Sequence, residues 1–597
     1  MRAWLRIPTA IDWYLCGAIT LIGALARYRL LFTQSLTIDE GSSLIFAYAS
    51  TSQLIQNVIR YDAHPPLYYL SVHYAYYLFQ LPPIYALRMP SFITGTFTIA
   101  VMYGLARLLM GRLAAIIAAM LTICSPIAVW YSHDGRMYAM TWFFVLLSYL
   151  LLIQAKRRPT WYWAAGYSAT IALALYADIS SWLAIFPQFI LILMGLSRAL
   201  ALARYDTPEV RERARAWLLT LASYLGGWLL FSPWLAVFPQ QLSLIRSVHF
   251  GVPSAQVFWV LLRNDLGLAA TYASLSATTS PGMEAALLAA FVVAAITLAW
   301  YTREPRYRLY CGVTGALTVG VASVFALAVL DGSRAVLIPR VVGIGAFGFV
   351  LLATGAVTIL MDAGLPLGAW ARNSTGASLA RSPQITKALL AMALLLTLMS
   401  GMGSALAKVG IQGYNGSQWN TIAAQITRQA GPKDIVMYYP LGIKYIIDPY
   451  LPATSPWRTT AKGLWPQAGK SLRPYFQQYL PGHEHIWFLF YSSSQITMPV
   501  YDGWIQRMGY CRQEGDPTAR FGLVVYTRCA RSTISPTSTI SSTPSGGAPE
   551  PILSAPVAAV VQGITTRLVI PIITQIMALA FHRSQSADGR QRSGYTW

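Results

Sequence analysis

Asp39 and Glu40 stand side by side in the stretch LTIDEGSSLIFAYAS, residues 36 to 50. Ionisable groups at the edge of an apolar span are functional hypotheses by default, because lipid penalises charge. A carboxylate there can serve as a general base. Further ionisable residues follow: Asp62 and His64, then Arg88, then His133, Asp134 and Arg136 within YSHDGRMYA, and later Asp331, Arg334 and Arg340. The planar fork of arginine suits phosphate oxygens. Carboxylates, a histidine and several arginines gathered on one membrane face would suit a phosphate-bearing lipid headgroup. Simpler roles compete with this one. Any single arginine can be a snorkelling anchor, and Asp39 can be a helix-capping carboxylate.

Such a gathering needs membrane-spanning elements to hold it. The chain has 597 residues, of which 55% are hydrophobic and 11% charged, and its mean hydropathy is +0.47. Apolar runs near twenty residues recur, each long enough to cross roughly 30 Å of hydrocarbon. The short alternating strands of a barrel are absent. The fold class is therefore an all-α polytopic membrane protein of about eleven spans. They are read at 8–27, 85–106, 113–130, 138–155, 161–177, 182–197, 217–238, 284–301, 310–330, 339–361 and 388–408. The formal net charge of +22 does not indicate nucleic acid, since the basic residues mostly lie in short loops between apolar runs. Arg107 with Arg112, Lys156 to Arg158, Arg198 to Arg215, Arg303 to Arg308 and Arg372 to Lys387 should face the cytoplasm. That places the N-terminus inside a plasma or inner membrane and residue 409 onward outside. The first apolar run lacks a small-residue cleavage site and reads as a retained span. Counting HPPLYYLSVHYAYYLFQL, 64 to 81, as a span would invert this order. It is short and rich in tyrosine, so it is expected to lie along the outer face.

Residues 1–411 form the membrane domain on this reading. Residues 412–530 change character and read as a small extracytoplasmic α/β domain, with strands at IVMYY, HIWFLFY and FGLVVYTRC and helices at SQWNTIAAQITRQ and MPVYDGWIQRMG. Cys511 and Cys529 fall on neighbouring strands and can either pair or remain buried thiols. Residues 531–556 are a Ser/Thr/Pro-rich linker. Residues 557–597 hold an apolar segment, interfacial or an extra span, and a basic tail.

SLTIDEGSS, HPPLYYL, LRMPSFITGTFTIAVMYGLARLLMGR and SPIAVWYSHDGRMYAM, in this order, resemble the polyprenyl-phosphate-sugar-dependent glycosyltransferases of the GT-C superfamily. Bacterial enzymes of the protein mannosyltransferase and aminoarabinose transferase type are the most similar. The resemblance is strong over 8–160 and weaker to 361. It implies a sugar donor on a polyprenyl phosphate and a lipid, glycan or protein acceptor. It implies that Asp39 is the catalytic base and that the lipid phosphate leaves with inversion at the sugar. Glu40 would position groups or ligate a metal, and His64 would meet phosphate or a metal. A divalent ion occurs in only part of the superfamily. Asp134 and Arg136 would line the site, with Arg136 or Arg340 on phosphate, and Arg88 and Tyr68 would contact donor phosphate or sugar. Tyr68 would face the same way as His64 if that segment is helical. YADISS, 176 to 181, departs from the pattern of relatives, which carry aromatic and histidine residues there. Two other readings stand beside this one: a lipid-linked glycan ligase or polymerase, and a transporter of a lipid-phosphate substrate.

Overall fold

Caps, prolines and close backbone contacts decide where this chain bends. The computed structural model describes residues 9–31, 35–202, 207–247, 309–318, 343–362, 419–439, 442–452, 462–463, 473–491, 497–515 and 521–529. The expected spans at 284–301 and 388–408, most of 310–330, the linker, the tail and Arg340 lie outside them. Parts of two other expected spans, at 309–318 and 343–362, are present and largely helical.

The first part of the chain is a run of helices: α1 (Ala10–Leu30), α2 (Ile38–Ala47), α3 (Thr51–Tyr61), α4 (Leu67–Tyr77), α5 (Pro83–Leu109), α6 (Arg112–Cys124), α7 (Pro126–His133), α8 (Tyr138–Arg157), α9 (Trp161–Ala177), α10 (Trp182–Leu202), α11 (Pro208–Leu235) and α12 (Phe238–Ser247). Among the described residues, five helices are long and apolar enough to cross a membrane: α1, α5, α8, α10 with its leading turn, and α11. The pair α6 and α7 makes a sixth if its bent path is one span. The chain is a mostly helical, multi-pass membrane protein.

Two helices differ from the hydropathy pattern for local reasons. The run 113–130 is not one rod, because α6 and α7 meet at 58°. Pro126 has no N–H to donate and forces Ser125 into extended backbone, and the Ser125 side chain then caps α7. Helix α11 starts at Pro208, well before the apolar part, because Thr207 caps it and Pro208 fits the first helical turn. The segment 64–81 folds as the 11-residue α4, about 16 Å long and too short to span. It lies across α2, tied by His73 Nδ1 to the Ala47 carbonyl at 2.9 Å and by the Tyr77 hydroxyl to the Tyr48 carbonyl at 2.8 Å.

The bundle has two chemically different ends. At one end Arg112 and Arg107 hold Asp12 at 2.7 and 3.1 Å, and Arg157 donates to the Leu108 carbonyl. At the other end α2 and α4 sit against α5, and α4 also against α9. Gly95 lets α5 approach α7 there, since a Cβ at 95 would overlap the Ser132 side chain.

Against α2 packs a second unit, a five-stranded sheet in the order β2-β1-β3-β5-β4. Its strands are β1 (Ile435–Tyr439), β2 (Lys462–Gly463), β3 (His485–Tyr491), β4 (Tyr510–Glu514) and β5 (Phe521–Arg528). β1 runs parallel to β2 and β3, and β5 is antiparallel to β3 and β4. Cys511 on β4 is disulfide-bonded to Cys529 just after β5. One apolar core continues from Leu36, Leu44 and Ala47 of the helical part into Trp419, Ile443, Ile446 and Ile447 of this unit.

Candidate active site

Helix α2 begins with a reciprocal cap. The Thr37 side chain accepts from the Glu40 N–H at 3.2 Å, and Glu40 Oε2 accepts from the Thr37 N–H at 2.8 Å. Glu40 is also gripped from two other loops. Arg88 donates to both of its oxygens, from Nε at 2.7 Å and from a terminal nitrogen at 3.0 Å. The Gly135 N–H adds a contact of 2.8 Å to Oε1. Two further Arg88 contacts reach the Leu31 and Ser35 carbonyls at 2.7 and 3.3 Å. Both side chains are buried, and the pair ties the first loop, the start of α5 and the 134–137 loop together. Glu40 is thus a fixed positioning group with both oxygens engaged. Arg88 faces this knot and not an open donor site.

The cap therefore belongs to Thr37 and Glu40, and Asp39 stands beside it half-buried in the first turn. Arg136 reaches its backbone: one terminal nitrogen donates to the Asp39 carbonyl at 3.2 Å, to Ser43 Oγ at 3.1 Å and to the Tyr69 hydroxyl at 3.3 Å. The Tyr69 hydroxyl donates in turn to Asp62 Oδ2 at 2.9 Å. Arg136 is 6% exposed, yet its Nε has no hydrogen-bond partner among the described residues. A buried guanidinium donor aimed at nothing is a ready contact for an anionic oxygen. Asp134 completes the cluster. Burial pushes its carboxyl up to about 8, helped by the nearby Glu40 and Asp39 carboxylates and opposed by Arg136 and Arg88. The shift favours the protonated carboxyl, which can donate a hydrogen bond.

His64 sits in the turn before α4. Its N–H donates to Asp62 Oδ1 at 2.9 Å, and its Nδ1 lies 3.6 Å from Asp178 Oδ1. The Gln241 amide of α12 holds this turn through the Asp62 and His64 carbonyls at 3.3 and 3.1 Å. Tyr68 does not accompany His64. Helix α4 starts only at Leu67, so no helical turn links the two, and the Tyr68 hydroxyl donates to the Leu87 carbonyl at 2.7 Å while accepting from Ser91. His133 points elsewhere, with its ring on the Arg27 carbonyl at 2.9 Å. Among the described residues no group of three or more His, Cys, Asp and Glu is arranged to hold a metal. With Glu40 engaged on every side, these residues do not fit a metal centre at the Asp39 loop.

The sequence pattern did not single out Ser43, Tyr69 or Gln241. Tyr69 was within reach, since it adjoins Tyr68 in HPPLYYL. Asp178 showed only as a departure in YADISS. The sheet unit also reaches the site, which no sequence signal announced. The Tyr450 hydroxyl accepts from the Leu36 N–H at 2.9 Å, and Ser35 Oγ donates to Asn420 Oδ1 at 2.7 Å. The loop before Asp39 is held by Arg88 from one side and by this unit from the other.

Residues 63–205 match the family model described as dolichyl-phosphate-mannose-protein mannosyltransferase. That stretch includes His64, Arg88, Asp134, Arg136 and Asp178 and follows Asp39 and Glu40. No curated protein matches the chain. Among solved structures, ArnT from Cupriavidus metallidurans bound to undecaprenyl phosphate is similar at 14% identity and a TM-score of 0.46, over 88% of this chain and 99% of that one. AglB from Archaeoglobus fulgidus, in complex with an inhibitory peptide and a dolichol-phosphate, is similar at 13% identity and a TM-score of 0.45, over 88% of this chain and 75% of that one. The arabinofuranosyltransferase AftD from Mycobacteria is similar at 14% identity and a TM-score of 0.38, over 87% of this chain and 42% of that one.

Proposed function

We propose that this GT-C glycosyltransferase moves a sugar from a polyprenyl-phosphate donor to an acceptor hydroxyl at the extracytoplasmic face, with inversion and with Asp39 as general base. The observation that carries the reading is Arg136. It is buried, it holds the Asp39 carbonyl, and it leaves one guanidinium donor without a partner. The matched family model names a dolichyl-phosphate donor, which is a polyprenyl phosphate.

In this mechanism the donor phosphate lies against Arg136, with Arg340, which is outside the described residues, as a second candidate contact. His64, whose ring is 6.1 Å from that of Tyr138, is a further candidate contact for the phosphate. The acceptor oxygen attacks the anomeric carbon from the side opposite the phosphate. Asp39 takes the acceptor proton as the new bond forms. The bond from carbon to phosphate oxygen breaks, and the phosphate departs as an anion stabilised by fixed guanidinium donors. No acid need protonate this leaving group. Asp134, when protonated, adds a hydrogen bond without placing a second negative charge beside Asp39. Glu40 and Arg88 position the loop and touch no substrate. The acceptor is a lipid, a glycan or a protein.

Asp39→Asn keeps the shape and removes the base. Purified protein carrying it should fold, bind donor and lose at least about a hundredfold in turnover, the scale of general-base catalysis. Turnover at the wild-type rate would overturn the assignment.

A further inference from the structure

The third loop at the site end carries two buried polar atoms that the mechanism above does not use. Asp178 is 2% exposed and Ser181 3% exposed. Asp178 Oδ1 accepts from the Ser180 N–H at 3.0 Å and caps the turn Ile179–Ser181, while Oδ2 has no hydrogen-bond partner among the described residues. Ser181 Oγ has none either. The Ser181 N–H donates to the Asp178 carbonyl at 3.0 Å, so the two residues close one turn at the head of α10. Beside them, His64 Nδ1 lies 3.6 Å from Asp178 Oδ1 and is likewise without a hydrogen bond. The His64 ring is 6.1 Å from the ring of Tyr138, two residues beyond Arg136. Asp62 links the two places, since it accepts from the His64 N–H and from the Tyr69 hydroxyl, and Tyr69 accepts from Arg136, so a seam of contacts leads from the Arg136 guanidinium to Asp178.

We propose that Asp178 and Ser181 form the subsite for hydroxyl groups of the donor sugar. This deepens the donor reading above and rests on it. A buried carboxylate oxygen lacking a donor is costly and calls for a ligand that supplies one. Phosphate cannot, because it would set anion against anion. A sugar hydroxyl can, since it donates to Asp178 while accepting from the Ser181 hydroxyl. The placement divides the work along the seam: Arg136 faces the phosphate and the YADISS turn faces the sugar ring. The carboxylate in that turn makes it a specificity element for a hydroxylated sugar.

Asp178→Asn tests this without dismantling the turn. The asparagine carbonyl can still accept from the Ser180 N–H, and only the unpartnered oxygen becomes an N–H donor group. Binding of sugar-free undecaprenyl phosphate, and of undecaprenyl phosphate carrying mannose, glucose, galactose or arabinose, is measured on full-length wild type, Asp178→Asn and Ser181→Ala. The best-bound sugar lipid should weaken about tenfold in Asp178→Asn and by about threefold in Ser181→Ala, the range of single hydrogen bonds. Sugar-free lipid should stay within about twofold. Equal loss of both lipids, loss of neither, or a wild type that prefers no sugar lipid over the bare carrier would overturn the subsite and leave the donor reading standing. A wild type that binds none of the lipids would overturn the donor reading itself.

Discussion

Asp39 and Glu40 are neighbours with separate tasks, and the separation rests on hydrogen bonds. Glu40 accepts from Thr37, Gly135 and twice from Arg88. Removing one partner of a buried ion pair strands the other, at a cost of about 3–5 kcal/mol. Glu40→Ala should therefore lower the unfolding temperature strongly, whereas Asp39→Asn should barely change it. Equal thermal unfolding of Glu40→Ala and wild type would contradict the structural role. Gly135 belongs to the same knot, since a Cβ there would stand 3.0 Å from Glu40 Oε1 and closer still to the Leu87 side chain. Asp134 gives a pH signature. Its carboxyl ionises near 3.9 in an unfolded chain and only at about 8 when folded. The folded protein thus holds a proton that the unfolded chain releases, and stability falls as pH rises from about 4 to about 8. Asp134→Asn cannot ionise and should flatten that decline in unfolding measured across the range. The same slope in both proteins would remove Asp134 from the account. At this scale the sequence disclosed residue types and neighbours in the chain. It could not disclose that Glu40 meets Arg88 and Gly135, because those partners lie 48 and 95 positions away.

At the scale of elements, α2 depends on the sheet unit as well as on the helical bundle. Tyr450 accepts from the N–H of Leu36, a residue with no exposed surface, three positions before Asp39. Tyr450→Phe keeps the ring and leaves that buried N–H unsatisfied, at a cost of about 1–3 kcal/mol. The loop should loosen, so kcat should fall about tenfold with the donor KM within twofold. An unchanged kcat would show that the sheet unit does not position the catalytic loop. Two helix ends fall earlier than the sequence reading placed them: Thr37, not Asp39, caps α2, and Pro83 opens α5 two residues before the expected span start at 85. The apolar runs IVMYY, HIWFLFY and FGLVVYTR form observed strands, whose buried side chains are Ile435 to Tyr438, Ile486 to Phe490 and Val524 to Tyr526. The bend at Ser125 and Pro126 was hidden by even hydropathy on both sides. The short helices Gly442–Ile447 and Arg473–Tyr479 and the two-residue β2 are too brief to show a period.

For the whole molecule, composition was enough to give the membrane class, since 55% hydrophobic residues with 11% charged leave few soluble alternatives. The segregation of charge also persists in three dimensions. Arg107, Arg112 and Arg157 share one end of the bundle, and Asp39, His64, Asp134, Arg136 and Asp178 share the other. What one chain of letters could not show is depth, because a loop's position along the sequence does not say how far its side chains sink between helices. The buried Arg136 is the clearest case, since an arginine in a loop reads equally well as a surface anchor. The central claim is that the donor phosphate sits against that side chain beside Asp39, and a structure of the full-length protein bound to undecaprenyl phosphate tests it most directly. The account predicts phosphate oxygens in hydrogen-bond contact with Arg136 Nε, with the carrier chain leaving between the helices toward lipid. A phosphate held elsewhere, with Arg136 still closed off from it, would contradict the account.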